Sequence, residues 1–365
     1  MRRLSSVPVL GISVFALASL HANAQTPTYT VIDLSPPSAV GVVAWAAGNN
    51  QQVGYSVTAM PGNERALLWS YSADSVVNLN PEGFTRSIAY GTANGVQVGL
   101  GRAPTTGNQD HAMMWRGTAK SAIDLHPAGF TSSSAWAIGN GQQVGQGIQT
   151  ASGAQHALLW TGSDDSAIDL HPAGFNTSGA YGVANGQQVG YGIQTAANAW
   201  HALLWTGSAE SVIDLHPAGF NTSEAYGVGD GIQVGGGTTT IGSQQRALMW
   251  RGTADSVIDL TPVGYSTAAA WATAKGKEVG YGYYGGAYQH ALLWNSSATD
   301  FVDLHTLLGS WYLSSVAYGI DSYGNIVGSA MDRAYRTHAI MWEIPEPTSL
   351  SLLAVAGLLL THRRR

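Results

Sequence analysis

Five histidines, His111, His156, His201, His290 and His338, each stand immediately before an Ala-apolar-apolar-Trp run. Imidazoles at one recurring position raise the question of a metal. Two further copies of the run carry Arg65 and Arg246 there, and a guanidinium donates hydrogen bonds but ligates no metal. Successive copies lie 44–48 residues apart. They therefore fall in separate structural units and could not share one ion at about 2.1 Å. The reading that fits all of them is a donor facing a recurrent acceptor in its own unit: Asp33, Asn78, Asp124, Asp169, Asp214, Asp259 or Asp303. These pairs are assigned to structure, and no catalytic, cofactor or metal site is assigned.

Four more histidines, His126, His171, His216 and His305, follow Asp-Leu. The first three open a His-Pro-Ala-Gly-Phe segment, where a proline that cannot donate to a sheet ladder marks a connection. They read as turn chemistry on one side of the molecule. The recurrent carboxylates could imitate a glycosidase pair. Such a pair needs two acids in unlike surroundings, one with a raised pKa, and here the Asp is nearly the same in every unit. The acids outside the repeat, Asp164, Asp165, Glu210 and Glu224, are expected in turns. There is no Gly-x-Ser-x-Gly and no phosphate-cradling loop, and cysteine is absent, which excludes thiol nucleophiles and thiolate metal sites. Sugar stacking has better material. The segments before each His or Arg vary most, and Trp200, Tyr283, Tyr284, Tyr288 and Trp311 offer aromatic faces; the alternative is ordinary surface packing.

The elements that position these groups come from one repeated unit. Ala-apolar-apolar-Trp ends at Trp69, Trp115, Trp160, Trp205, Trp250, Trp294 and Trp342. Val-Gly ends at Gly54, Gly99, Gly145, Gly190, Gly235, Gly280 and Gly328. Ala-(Trp/Tyr) places an aromatic at Trp45, Tyr90, Trp136, Tyr181, Tyr226, Trp271 and Tyr318, and (Asp/Asn)-Leu recurs as often. Each unit holds four strand-like pieces. One runs Ala180 to Ala184, then the turn Asn185-Gly186, then Gln187 to Gly192, then His201 to Trp205, then Val212 to Leu215. Four strands in about 45 residues is the signature of a propeller blade. The expected fold is an all-β, seven-bladed β-propeller with four antiparallel strands per blade. The small-residue strand is placed at the axis, where side chains must be small. The segment 29–34 is a fourth-type strand, and the last unit lacks one, so the N-terminal strand is expected to complete the last blade and remove an open edge. A linear β-solenoid is the competing architecture.

The two ends read as addresses. Met1-Arg2-Arg3, an uncharged apolar run over 7–20 and Ala22-Asn23-Ala24 before Gln25 form a secretory signal over 1–24. At the other end stand Pro345-Glu346-Pro347, an apolar stretch over 350–360 that is expected to be a short helix, and Arg363-Arg364-Arg365. This order resembles the PEP-CTERM sorting signal of Gram-negative bacteria. The resemblance implies handling by an exosortase after transient insertion of the segment 344–365 in the inner membrane; a retained tail anchor is the alternative. The body, 25–343, resembles the extracellular HAF repeats in its His-Ala-apolar-apolar-Trp and Asp-Leu, and its layout is similar to that of WD-repeat propellers. The family implies a secreted β-rich repeat protein and no particular reaction.

Composition narrows the partners. Of 16 Lys+Arg, five lie in the end segments, and of 22 Asp+Glu one does, which leaves the body 11 basic and 21 acidic residues and a net charge near −10. That argues against nucleic acid or an anionic membrane surface as a partner. The expectation is an exported cell-surface or matrix protein, a non-catalytic binding or structural module with extracellular polysaccharide as its ligand. Its other partners are the export machinery and an exosortase. A secreted polysaccharide-active hydrolase or lyase is the alternative, and a cleft with two carboxylates that breaks the sevenfold pattern would mark it.

Overall fold

The computed structural model describes residues 29–344 apart from 38, 58–61 and 287. Ala22, Ala24 and Gln25 at the leader, and Pro345, Glu346, Pro347, Arg363, Arg364, Arg365 and the apolar helix at the tail, lie outside the described residues.

Within them, strands form seven four-stranded antiparallel sheets in a seven-bladed β-propeller. Blades 1 to 6 span 41–78, 86–124, 130–169, 175–214, 220–259 and 265–303. Blade 7 takes three strands from 312–343 and its fourth from Thr30–Asp33, which pairs Val31 with Trp342 and Asp33 with Ile340. In blades 1 to 6 the first and second strands meet at tight turns whose two residues both have positive φ, as at Asn185 (51°) and Gly186 (76°). That is the turn whose twist matches the strands it joins. Blade 7 uses the longer connection 321–325. The fourth strand has only two residues in blades 1 to 5 and four in blades 6 and 7, so little open edge is presented. Among the described residues no helix is long and apolar enough to cross a membrane.

The core lies between blades. Ala202, Leu203, Leu204 and Trp205 are at most 2% exposed. Ala202 and Leu204 pack against Ala225, Leu248 and Trp250 of blade 5, whereas Leu203 and Trp205 pack against Val144, Ala157 and Leu159 of blade 3. A strand covered on both faces carries no polar alternation, which is why this run is apolar throughout.

The axis differs from expectation. The first strand of every blade carries a β-bulge, and the bulged residue is the repeated aromatic: Trp45, Tyr90, Trp136, Tyr181, Tyr226, Trp271 and Tyr318. A bulge re-aims a side chain out of the pleat. Small residues do flank the aromatics, yet the axis itself is lined by large rings. The bulge also explains Val-Gly in the second strand. A Cβ on Gly145 would lie 1.9 Å from the Ser134 carbonyl oxygen, and the same holds at Gly54, Gly99, Gly190, Gly235 and Gly328, with 2.0 Å at Gly280.

Candidate functional site

The recurrent histidines face their aspartates. The Nδ1–H of His111, His156, His201 and His290 donates to Asp124, Asp169, Asp214 and Asp303 at 2.7 Å, and that of His338 donates to Asp33 at 2.8 Å. The two arginines depart from this. Arg246 stands 3.9 Å from Asp259 and donates instead to Gln244. Arg65 does not use Asn78; it donates to the carbonyls of Asn63, Glu64 and Thr85, because a longer side chain reaches past the acceptor to the loop backbone.

The second set of histidines is not simple turn chemistry. His126 stacks on His111 at 3.9 Å between ring centroids, its Nδ1 lies 2.8 Å from Ser133 Oγ, and its Nε2 lies 3.0 Å from the Phe130 carbonyl. A carbonyl only accepts, so Nε2 carries the proton and Nδ1 receives the serine hydroxyl. The same serine accepts the Ala112 N–H, which ties blade 2 to blade 3. His171 with Ser178, His216 with Ser223 and His305 with Ser315 repeat the stacking and the serine bond, and His216 repeats the carbonyl bond as well, to Phe220 at 3.2 Å. Burial and then the charge of the neighbouring histidine hold all four below the ordinary imidazole range.

The remaining junctions show that this is structural. Between blades 1 and 2 Asn80 takes the histidine's place, with its Oδ1 accepting from Ser87 Oγ and its Nδ2 donating to Phe84 O. Between blades 5 and 6 the serine becomes Ala268 and the histidine becomes Thr261, whose hydroxyl accepts the Ala247 N–H directly. Between blades 7 and 1 the serine becomes Val42, and Ser35 accepts the Ala339 N–H. A buried N–H without a partner costs about 1–3 kcal/mol. At each of the seven junctions a hydroxyl meets it, whatever residue supplies that hydroxyl. The junction serines Ser87, Ser133, Ser178, Ser223 and Ser315 are at most 3% exposed, out of reach of a substrate, and among the described residues no three His, Asp or Glu could hold a metal ion.

The stacking candidates sit apart. Trp200 already stacks on Tyr191 at 4.4 Å, and Tyr283 meets the edge of Tyr281. Tyr284 leans on Tyr265 and His290, and Tyr288 pairs across from it. Trp311 is half-exposed in the connection into blade 7. Among the described residues no two of these five pack ring to ring.

The axial aromatics do come together. Each touches the next around a closed ring, from Trp45–Tyr90 at 5.6 Å to Tyr318–Trp45 at 4.6 Å, and Trp45 also reaches across to Trp136 and Trp271. Beside the ring lies a cavity of about 430 Å³ whose lining continues toward the hairpin turns through Thr92, Ile138, Val183, Thr273 and Ile320. One charged residue belongs to that lining, Glu224. It lies in the first strand of blade 5, Phe220–Gly229, and not in a turn as expected; Asp164, Asp165 and Glu210 do lie in 3-10 turns. Burial pushes its carboxyl up to about 7, and the Tyr226 hydroxyl beside it only partly offsets this. The corresponding residues of the other blades are Val43, Ile88, Ser134, Gly179, Ala269 and Val316. A lone acid at an otherwise uncharged repeat position was the signal available in the sequence.

A second asymmetry is closed on itself. Arg86 bonds Glu64 at 2.7 Å and Asp110 at 3.0 Å, and Arg102 bonds Asp110 at 2.9 Å, so two cations meet two acids; at the position of Arg86 blades 3 to 7 carry Ser132, Thr177, Thr222, Thr267 and Ser314.

No family model matches the chain, and no curated protein matches it in sequence. Solved structures do match in shape. The propeller domain of the trilobed protease from Pyrococcus furiosus is 8% identical over 84% of this chain and 99% of that one, with a TM-score of 0.53. A puromycin hydrolase mutant complexed with PGG is 11% identical over 87% of this chain and 57% of its own, with a TM-score of 0.55. A prolyl endopeptidase is 8% identical over 84% and 50%, at 0.54. At these identities the likeness shows the propeller fold and nothing about activity.

Proposed function

We propose that this protein is an exported, non-catalytic binding module of the cell surface or extracellular matrix, sorted by an exosortase through its 344–365 segment, with extracellular polysaccharide as its ligand. The observation that carries this reading is where the polar chemistry is spent. The histidines, aspartates and serines bond one another or the backbone at the blade junctions. The axial cavity contributes one carboxylate, whereas acid-assisted glycoside cleavage uses two at defined separation. An aromatic-lined concavity with few polar groups is a binding surface.

The hydrolase or lyase reading draws on Glu224, since an acid held near 7 is suited to proton transfer. The two readings separate in one experiment. The secreted protein is incubated with exopolysaccharide of its own organism, and both retention and release of reducing or unsaturated ends are measured. Retention without release is expected. Release that depends on Glu224 would replace the binding module with an enzyme, and neither retention nor release would remove polysaccharide as the ligand. For sorting, replacing Arg363, Arg364 and Arg365 together by Ala is expected to shift the protein between membrane and surface fractions.

A further inference from the structure

The groove beside Arg86, Asp110 and Gln146 is bordered by charges that already neutralise each other. The apolar row on the fourth strands, from Val77 to Ile258, is exposed, but nothing shows what would cover it. The axial cavity is different because a charge in it is left uncompensated.

Glu224 stands at the edge of a ring of Trp and Tyr, and among the described residues no salt bridge reaches it. The titratable groups that face it are all phenols: Tyr226 on its own strand and Tyr181 and Tyr191 on blade 4, with Tyr281 of blade 6 beside Tyr226. Burial holds each of those hydroxyls above the ordinary phenol range, so they stay neutral and supply no counter-charge. No Lys, Arg or His belongs to the cavity lining. Thr92 Oγ1, Thr273 Oγ1, Trp136 Nε1 and Trp271 Nε1, all on lining residues, are buried without a hydrogen-bond partner, and the two threonines are only 7% and 9% exposed. Glu224 is half-buried, and a carboxylate partly withdrawn from water with no cation beside it is costly. Aromatic walls attract cations through their ring quadrupoles and do so best when water is excluded.

From this juxtaposition we propose that the axial cavity is a binding site for an organic ammonium group, with Glu224 as its counter-ion and the Trp and Tyr ring as its cage. The site is the same concavity that the polysaccharide reading uses, but it requires an ammonium group and no polymer. A metal cation is a poorer fit, because one carboxylate and aromatic carbon supply too few oxygen ligands.

The test uses the folded, secreted protein and choline, whose charge does not change with pH, alongside its neutral carbon isostere 3,3-dimethylbutan-1-ol. Binding is followed by calorimetry or tryptophan fluorescence. Choline is expected to bind, and the isostere at least about tenfold more weakly. Glu224→Gln, checked for folding by circular dichroism, is expected to weaken choline by a similar factor. In the wild type, choline affinity should rise about tenfold from pH 6 to pH 8 as the carboxyl ionises, and the rise should vanish in Glu224→Gln. A parallel pair, glucosamine and N-acetylglucosamine at pH 7, where the carboxyl is about half ionised, tells whether a sugar can carry the ammonium; binding of either choline or glucosamine supports the site. The proposal is overturned if neither cation binds at up to tens of millimolar, if the neutral isostere binds equally, or if Glu224→Gln binds choline as tightly as the wild type. Absence of polysaccharide retention with choline binding intact would sink the polysaccharide reading alone.

Discussion

A serine and a backbone N–H at each blade junction set the terms for the residues around them. Removing Ser223 Oγ strands the Ala202 N–H and the His216 Nδ1, so Ser223→Ala is expected to cost about 1–3 kcal/mol in denaturant melts. Thr261 with Ala268 shows a second solution to the same problem. The double variant His216→Thr, Ser223→Ala should therefore recover most of the loss, and additive losses would contradict the account. The junction histidines also make stability depend on pH. Their folded pKa lies below the unfolded value of 6.5, so the unfolded chain binds more protons below that pH. Stability is full above 6.5 and falls as pH drops through the folded value. Replacing His126, His171, His216 and His305 by Asn, as at Asn80, should flatten the melting temperature against pH in that window. Glu224 acts in the opposite direction. Its folded pKa of about 7 exceeds the unfolded 4.5, so the fold loses stability as pH rises between them. Glu224→Gln is expected to be neutral at pH 4 and to raise stability at pH 8 by up to a few kcal/mol, and a variant destabilised at pH 8 would show the carboxylate to be paired.

The bulged first strand is the element that turns a sheet into a blade with an aromatic edge. Its carbonyl occupies the space where the second strand would place a Cβ, and glycine is the residue that yields that space. Two neighbouring glycines separate this steric demand from general flexibility. At Gly235 a Cβ would lie 1.9 Å from Glu224 O, whereas at Gly236 its nearest neighbours lie at 3.5 Å, an ordinary contact. Gly235→Ala should then lower stability by at least about 1–3 kcal/mol, with Gly236→Ala near neutral by the same measurement. Equal effects would mean the bulge relaxes freely.

At the scale of the whole ring, blade 7 is built from both ends of the body. Asp33 receives His338 at 2.8 Å, Ser35 receives the Ala339 N–H, and fully buried Leu34 packs with Val327 and Met341. Deleting residues 29–35 removes that strand and leaves an open edge on the third. The expected outcome is a loss of at least about 3 kcal/mol and a broader transition, since burial of one leucine alone is worth about 1.5–3 kcal/mol. A synthetic 29–35 peptide should restore part of it. An unchanged melt would show that the closing strand contributes little.

Much of this is legible along the chain because it is local. The turn Asn185-Gly186 needs positive φ at both positions, and the apolar run ending at Trp205 declares two covered faces, so blade count and strand order follow from a period of about 45 residues. The His–Asp facing in blades 2, 3, 4 and 6 is local in the same sense, whereas His338 meets Asp33 only when the ring closes. What stays hidden depends on units meeting in space. The Ala202 N–H meets Ser223 only when blade 5 docks on blade 4, and Arg65 passes Asn78 to reach the Thr85 carbonyl at the entry to blade 2. The aromatic of each repeat looks like a strand residue until a bulge turns it to the axis. Glu224 looks like a loop acid until several blades place their rings around it, because a cavity shared by every blade is a property of closure and of no single repeat.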